Sequence, residues 1–178
     1  GLSRGIDGAA HRGALSAGAE GGGTVGVIAS GIDVSYPPEH AELQEEVARN
    51  GLLVTEHPPG SEPLARHFPA RNRIIAGLAA GTLVVEAAPK SGSLITARLA
   101  GEAGREVMAI PGSPLDSRAH GGNQLIRDGA VLVQSPEDVI ELLSSFDGTP
   151  RSSFREASPG WFAPEDELAD ASSIGPAD

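Results

Sequence analysis

No cysteine occurs among the 178 residues, which excludes disulfide bonds and thiolate metal sites. Histidine is present at His11, His40, His57, His67 and His120, without the HExxH spacing or the paired carboxylates that a metal centre calls for, so no metal ion and no cofactor is expected. Aromatic residues are scarce at 3%, and no apolar run is long enough to cross a bilayer, so a cytoplasmic protein with no membrane partner is expected. A G-x-S-x-G elbow, a G-x-x-x-x-G-K-S/T loop and a G-x-G-x-x-G turn are all missing after the strand patterns, and no catalytic constellation is visible.

Charge is plentiful but unevenly spread. The formal net charge is −11, of which residues 147–178 carry −5 and residues 1–146 carry −6. Within residues 63–127 the balance reverses: eight basic side chains, including Arg66, Arg71, Arg73 and Lys90, face four acidic ones, Glu86, Glu102, Glu106 and Asp116. A local anion site is compatible with that segment despite the acidic total.

Apolar runs of strand length alternate with capped helical stretches along the chain. An Ala-rich helix over "IDGAAHRGALSAG" precedes the strand from Thr24 to Ala29, and "PPEHAELQEEVARNG" reads as a helix before "LLVTE". Then come a helix beginning at "FPARNRIIAGL", the strand "TLVVEAA", the helix "LITARLAGEAG", the strand "REVMAI", a short helix "QLIRDG" and the strand "AVLVQ". The last helix, "SPEDVIELL", has Ser135 as N-cap with Asp138 closing a capping box. Five strand–helix alternations predict a Rossmann-like α/β fold, a doubly wound parallel sheet over residues 1–146. The chain opens on "GLSRGID", which reads as the turn following a strand, so it is expected to start mid-domain, truncated at the N-terminus. Residues 147–178 read as an acidic linker or disordered tail, with Phe154, Trp161 and Phe162 as the available anchors.

One stretch conflicts with simple helix physics. Pro69 suits the first position of a helix that Gly81 ends, which puts Arg71, Asn72 and Arg73 in the first turn, against the positive end of the helix dipole. A bound anion, or an acid such as Glu56 or Glu86, would reconcile them. Alternatively Arg71, on a face with Ile74, Ile75 and Leu78, folds back onto a strand-end acid such as Glu86, while Arg73 lies on a small-residue strip and is free to point outward.

In a parallel sheet, ligands gather beyond the carboxyl ends of the strands. The loops expected there hold Arg4 beside Gly5, the Arg71/Arg73 pair, Lys90-Ser91-Gly92-Ser93, and Gly121-Gly122-Asn123. Glycines permit close approach of a polyanion, helix N-termini offer amide donors and the cations add charge, so together these loops form a candidate phosphate cradle. Each also has a plainer reading, Lys90 as a solvated lysine and Asn123 as a helix cap.

Taken together, "GLSRGIDGAAHRGAL", "YPPEH", "FPARNRIIAGL", "SGSLITARLAGEAGREVMAIPGS" and "GGNQLIRDGA" resemble the DprA/Smf family, the DNA-processing proteins of bacterial natural transformation, over residues 1 to about 143. The resemblance implies an extended Rossmann fold that binds single-stranded DNA and, as a homodimer, helps load the recombinase RecA. It implies DNA contacts at Arg4, Lys90 and Asn123, to which the rim reading adds Gly5, Arg71, Arg73, Ser91 and Gly92. Phe68 is the only aromatic near this rim, and Leu94 is a possible apolar substitute. An enzyme class competes: phosphoribohydrolases of the lysine-decarboxylase-like group share the fold type, but their P-G-G-x-G-T loop is missing and Glu86 is the only remnant of their glutamate. A third reading is an interaction module that dimerises and touches RecA, its rim incidental.

Overall fold

The computed structural model describes residues 1–154. In chain order it contains α1 (Ile6–Ser16), β1 (Val25–Val27), α2 (Ala41–Asn50), β2 (Leu52–Val54), α3 (His67–Leu78), β3 (Gly81–Val84), α4 (Gly92–Glu102), β4 (Glu106–Ala109), α5 (His120–Arg127), β5 (Val131–Leu132) and α6 (Pro136–Ser144). Every strand pair is parallel, as expected when each crossover carries a helix. Where the sequence pattern implied one sheet, the strands pair as two, β1-β2 and β3-β4-β5. The chain divides correspondingly into two compact units, Gly1–Arg71 and Asn72–Asp178, with the division falling inside α3.

In the first unit Leu2, Ile28, Leu43 and Val47 are buried together, with Leu15 and Leu53 packed against them. Buried histidines tie the opening residues to this core. His11 Nε2 donates to the Gly1 carbonyl at 2.7 Å, and His40 Nδ1 donates to the Leu2 carbonyl at 2.8 Å. Burial pushes the His11 pKa below the usual 6.5, so the neutral ring is favoured and its Nδ1 accepts from the Thr24 hydroxyl at 2.7 Å. Gly51 follows α2 with φ −146°, outside the left-handed region. Its small size is needed for close approach: a Cβ there would run into the Thr24 carbonyl, and the next N–H, that of Leu52, donates to the same oxygen at 2.9 Å.

In the second unit the core is larger. Val84, Ala97, Ala100, Val107, Leu125 and Phe154 belong to one buried cluster, in which the small residues of α4 let the helix approach the sheet closely. The capping box of α6 forms as its sequence predicts, with Ser135 accepting from the Asp138 N–H and Asp138 accepting from the Ser135 N–H. Phe154, one of three candidate anchors of the acidic segment, is 2% exposed. The chain is pinned just before it by fully buried Glu106 at the start of β4, whose two carboxylate oxygens accept the N–H groups of Arg151 and Ser152, each at 2.7 Å. Packing therefore runs past the expected boundary at residue 146, as far as Phe154; Trp161 and Phe162 lie outside the described residues.

The conflict in α3 dissolves. The helix begins at His67, so Pro69 is its third residue, where a missing N–H is tolerated, and Gly81 opens β3 rather than ending the helix. Arg71, Asn72 and Arg73 consequently lie beyond the first turn, where the dipole has faded, and no anion is needed to offset it.

Candidate nucleic-acid interface

The candidate residues separate by unit. Arg4, Gly5 and Arg71 belong to the first; Arg73, Lys90, Ser91, Gly92 and Asn123 belong to the second.

Gly5 stands immediately before α1 with φ 84°, a left-handed conformation that favours glycine, and it turns Arg4 outward. The Arg4 guanidinium is exposed and donates to Glu39 Oε1 at 2.7 Å, which raises the arginine pKa and lowers that of Glu39. Arg71 behaves oppositely. It folds inward, 8% exposed, and its Nη1 donates to the Val27 carbonyl at the end of β1. Desolvation pulls its pKa down, with Asp7 opposing the shift. Arg4 and Arg71 both line a cavity of about 350 Å3.

In the second unit the loop after β3 carries Lys90, exposed and with φ 66°, the one described non-glycine residue in the left-handed region. A lysine held there is locally strained, a feature that tends to collect at ligand sites. Ser91 follows as the residue preceding α4, and its buried hydroxyl makes no hydrogen bond among the described residues. Gly92 then opens α4, and a Cβ added to it would meet nothing within 4 Å. A cation, a helix N-terminus and open space thus coincide at the start of an 11-residue helix.

The loop after β4 is lashed to the loop after β3. Ala87 N–H donates to the Arg118 carbonyl and Gly121 N–H to the Ala87 carbonyl, both at 2.8 Å. Asn123 is neither a cap nor openly presented: α5 starts at His120, and the Asn123 amide accepts from Gly112 N–H at 3.0 Å and donates to the Gly112 carbonyl at 2.9 Å. It holds the loop in place. Arg118 is held by Asp116 through Nε at 3.2 Å and Nη2 at 2.8 Å, while Arg73 is exposed on α3. Sequence reasoning missed Tyr36, whose ring lies 5.5 Å from that of Phe68 and lines the same cavity as Arg4. The signal was its place in the loop after β1, just before Pro37.

Residues 1–144 match the family model for DNA recombination-mediator protein A. The chain belongs to this family. It is similar to the DNA processing protein DprA of Streptococcus pneumoniae, 51% identical over 140 residues, covering 79% of this chain and 49% of that protein. The Bacillus subtilis DprA is 48% identical over 143 residues, covering 80% of this chain and 47% of that protein. Among solved structures, the X-ray structure of the S. pneumoniae protein superposes with a TM-score of 0.76 at 50% identity, covering 83% of this chain and 50% of that one. The Helicobacter pylori DNA processing protein A, whose structure addresses a single-stranded DNA binding mode, gives 0.71 at 30% identity, covering 82% of this chain and 65% of that one. The chain thus spans about half the length of the curated relatives it matches, and the α/β Rossmann-like fold is shared with the solved structures. No helix among the described residues is long and apolar enough to cross a membrane.

Proposed function

We propose that the chain binds single-stranded DNA through its phosphates, without sequence readout, in DNA processing during natural transformation. The observation that carries this reading is the turn before α4, where strained, exposed Lys90 stands next to the open backbone of Gly92. A phosphate there meets a cation and the amides of a helix N-terminus together. Arg4, turned outward by Gly5, supplies a second phosphate contact, since an exposed partner such as Glu39 exchanges readily for another anion. Ser91 offers a hydroxyl, Arg73 an exposed cation, and Asn123 acts by fixing the loop beside Lys90. In the same reading the protein works in the cytoplasm as a homodimer and passes the strand to RecA recombinase, without catalysis of its own.

Retention of oligo-dT on the purified protein across a salt series tests this. Affinity falls as salt rises, and each lost phosphate contact reduces the log–log slope by about 0.7. Lys90→Glu abolishes retention while leaving the circular dichroism spectrum unchanged. Equal retention by wild type and Lys90→Glu rules the Lys90 site out, and release of free base from nucleoside monophosphates points to a hydrolase instead.

A further inference from the structure

In the Asn72–Asp178 unit the chain continues past α6 as a fastened strap. Glu106 holds the N–H groups of Arg151 and Ser152, and the Ser153 N–H donates to the Gly129 carbonyl at 3.0 Å. Phe154 closes on Gly101, where an added Cβ would run into the Phe154 carbonyl and ring. The strap is therefore fixed at the last turn of α4. Gly101 lies nine residues from Gly92, which at 1.5 Å per residue is about 14 Å along the helix.

The residues that follow, 155–178, hold six acidic side chains against one basic one, Arg155, and four of the acids are close together: Glu165, Asp166, Glu167 and Asp170. The eleven residues from Phe154 to Glu165 span up to about 36 Å when extended and about 18 Å as a flexible coil, so the start of α4 is within reach either way. That start has what a carboxylate complements. Its first turn contains no acidic residue, Ser91 makes no side-chain cap bond, and exposed Lys90 stands just before it. Closely spaced carboxylates present a line of negative charge, the same chemistry that a phosphate backbone presents.

We infer that the acidic run 165–170 of the same chain seats on the Lys90 turn and the first turn of α4, and that the single strand must displace it. The inference rests on the single-strand reading and adds a built-in competitor to it. The tie at Phe154 keeps the run at an effective concentration on the order of millimolar, so a weak contact is enough to compete, and salt screens it.

The experiment uses the full chain. Lys90 is its only lysine, so a carbodiimide that joins amines to carboxylates reports the contact directly. The expected product has the mass of one chain, with Lys90 linked to the peptide holding Glu165, Asp166, Glu167 and Asp170, and prior addition of oligo-dT prevents it. The variant E165Q/D166N/E167Q/D170N gains about threefold to tenfold in oligo-dT affinity at low salt, and the gain fades as salt rises. Glutamine at exposed Glu20, Glu42, Glu46 and Glu141 changes the net charge equally and gives a smaller gain. The inference is overturned if Lys90 links only elsewhere or not at all, or if the product has the mass of two chains. Equal gains by the two quadruple variants overturn it as well, because net charge alone then accounts for them. Wild type that retains oligo-dT without the link keeps the single-strand reading and loses the competitor. Wild type that forms the link but retains no oligo-dT removes the single-strand reading itself, and leaves the run with no strand to exclude.

Discussion

In the Gly1–Arg71 unit a small apolar core is bordered by buried polar side chains: His11 and His40 grip the backbone of residues 1 and 2, and Arg71 grips the end of β1. In the Asn72–Asp178 unit the apolar cluster is larger and its main buried charge, Glu106, serves to fasten the segment leading to Phe154. The candidate sites differ in the same way. The first unit offers a preformed cavity with side-chain cations, and the second offers backbone amides and a strained lysine at a helix start. One unit leans on several buried side chains that hold its backbone; the other leans on a larger apolar cluster with a single carboxylate tie.

The sharpest way to break that contrast is Phe154→Ala, which empties a fully packed site and costs about 3–5 kcal/mol, measured by urea unfolding. Glu106→Gln comes next. It keeps one acceptor oxygen for the Arg151 and Ser152 N–H groups and opposes the other with an amide donor, at about 1–3 kcal/mol. Lys90→Gly goes the other way: relief of the left-handed strain stabilises the chain by up to about 1 kcal/mol while oligo-dT retention weakens. A stabilised variant with undiminished retention would detach the strain from the site.

The smallest effect is the pH response of the first unit. The His11 pKa is depressed in the folded state, so the unfolded chain binds a proton more readily there. Stability from the neutral ring is full above the unfolded value of 6.5 and declines as pH falls below it toward the folded value. His11→Gln flattens that part of a stability–pH curve, and an unchanged curve would show that the burial of His11 is not what sets it.

Much of the fold was legible because its signals are local. The capping box at Ser135 and Asp138, the apolar runs of the five strands and the helices between them need only neighbours a few residues apart, and each element formed in the expected order, although α5 starts at His120, four residues before the helix read from "QLIRDG". The start of α3 was misread by two residues because Pro69 is acceptable at several positions of a first turn, and that small shift removed the apparent clash of Arg71 and Arg73 with the dipole. Asn123 has the composition of a cap, but a cap and a loop clamp differ only in what lies opposite the amide, and its partner Gly112 is eleven residues away. Tyr36 carried no periodic signal at all.

By itself the sequence determined the alternation of elements, the parallel sense of the strands and the placement of Arg4, Gly5 and Lys90 in turns, since these follow from side-chain period and backbone preference over short spans. Tertiary structure alone decided that Arg71 turns inward and Arg4 outward, that Glu106 holds residues 151 and 152, and that Tyr36 and Phe68 share a cavity. Those outcomes depend on which atoms, distant along the chain, compete to satisfy one buried charge or cover one ring, and desolvation sets that balance only once the chain has folded.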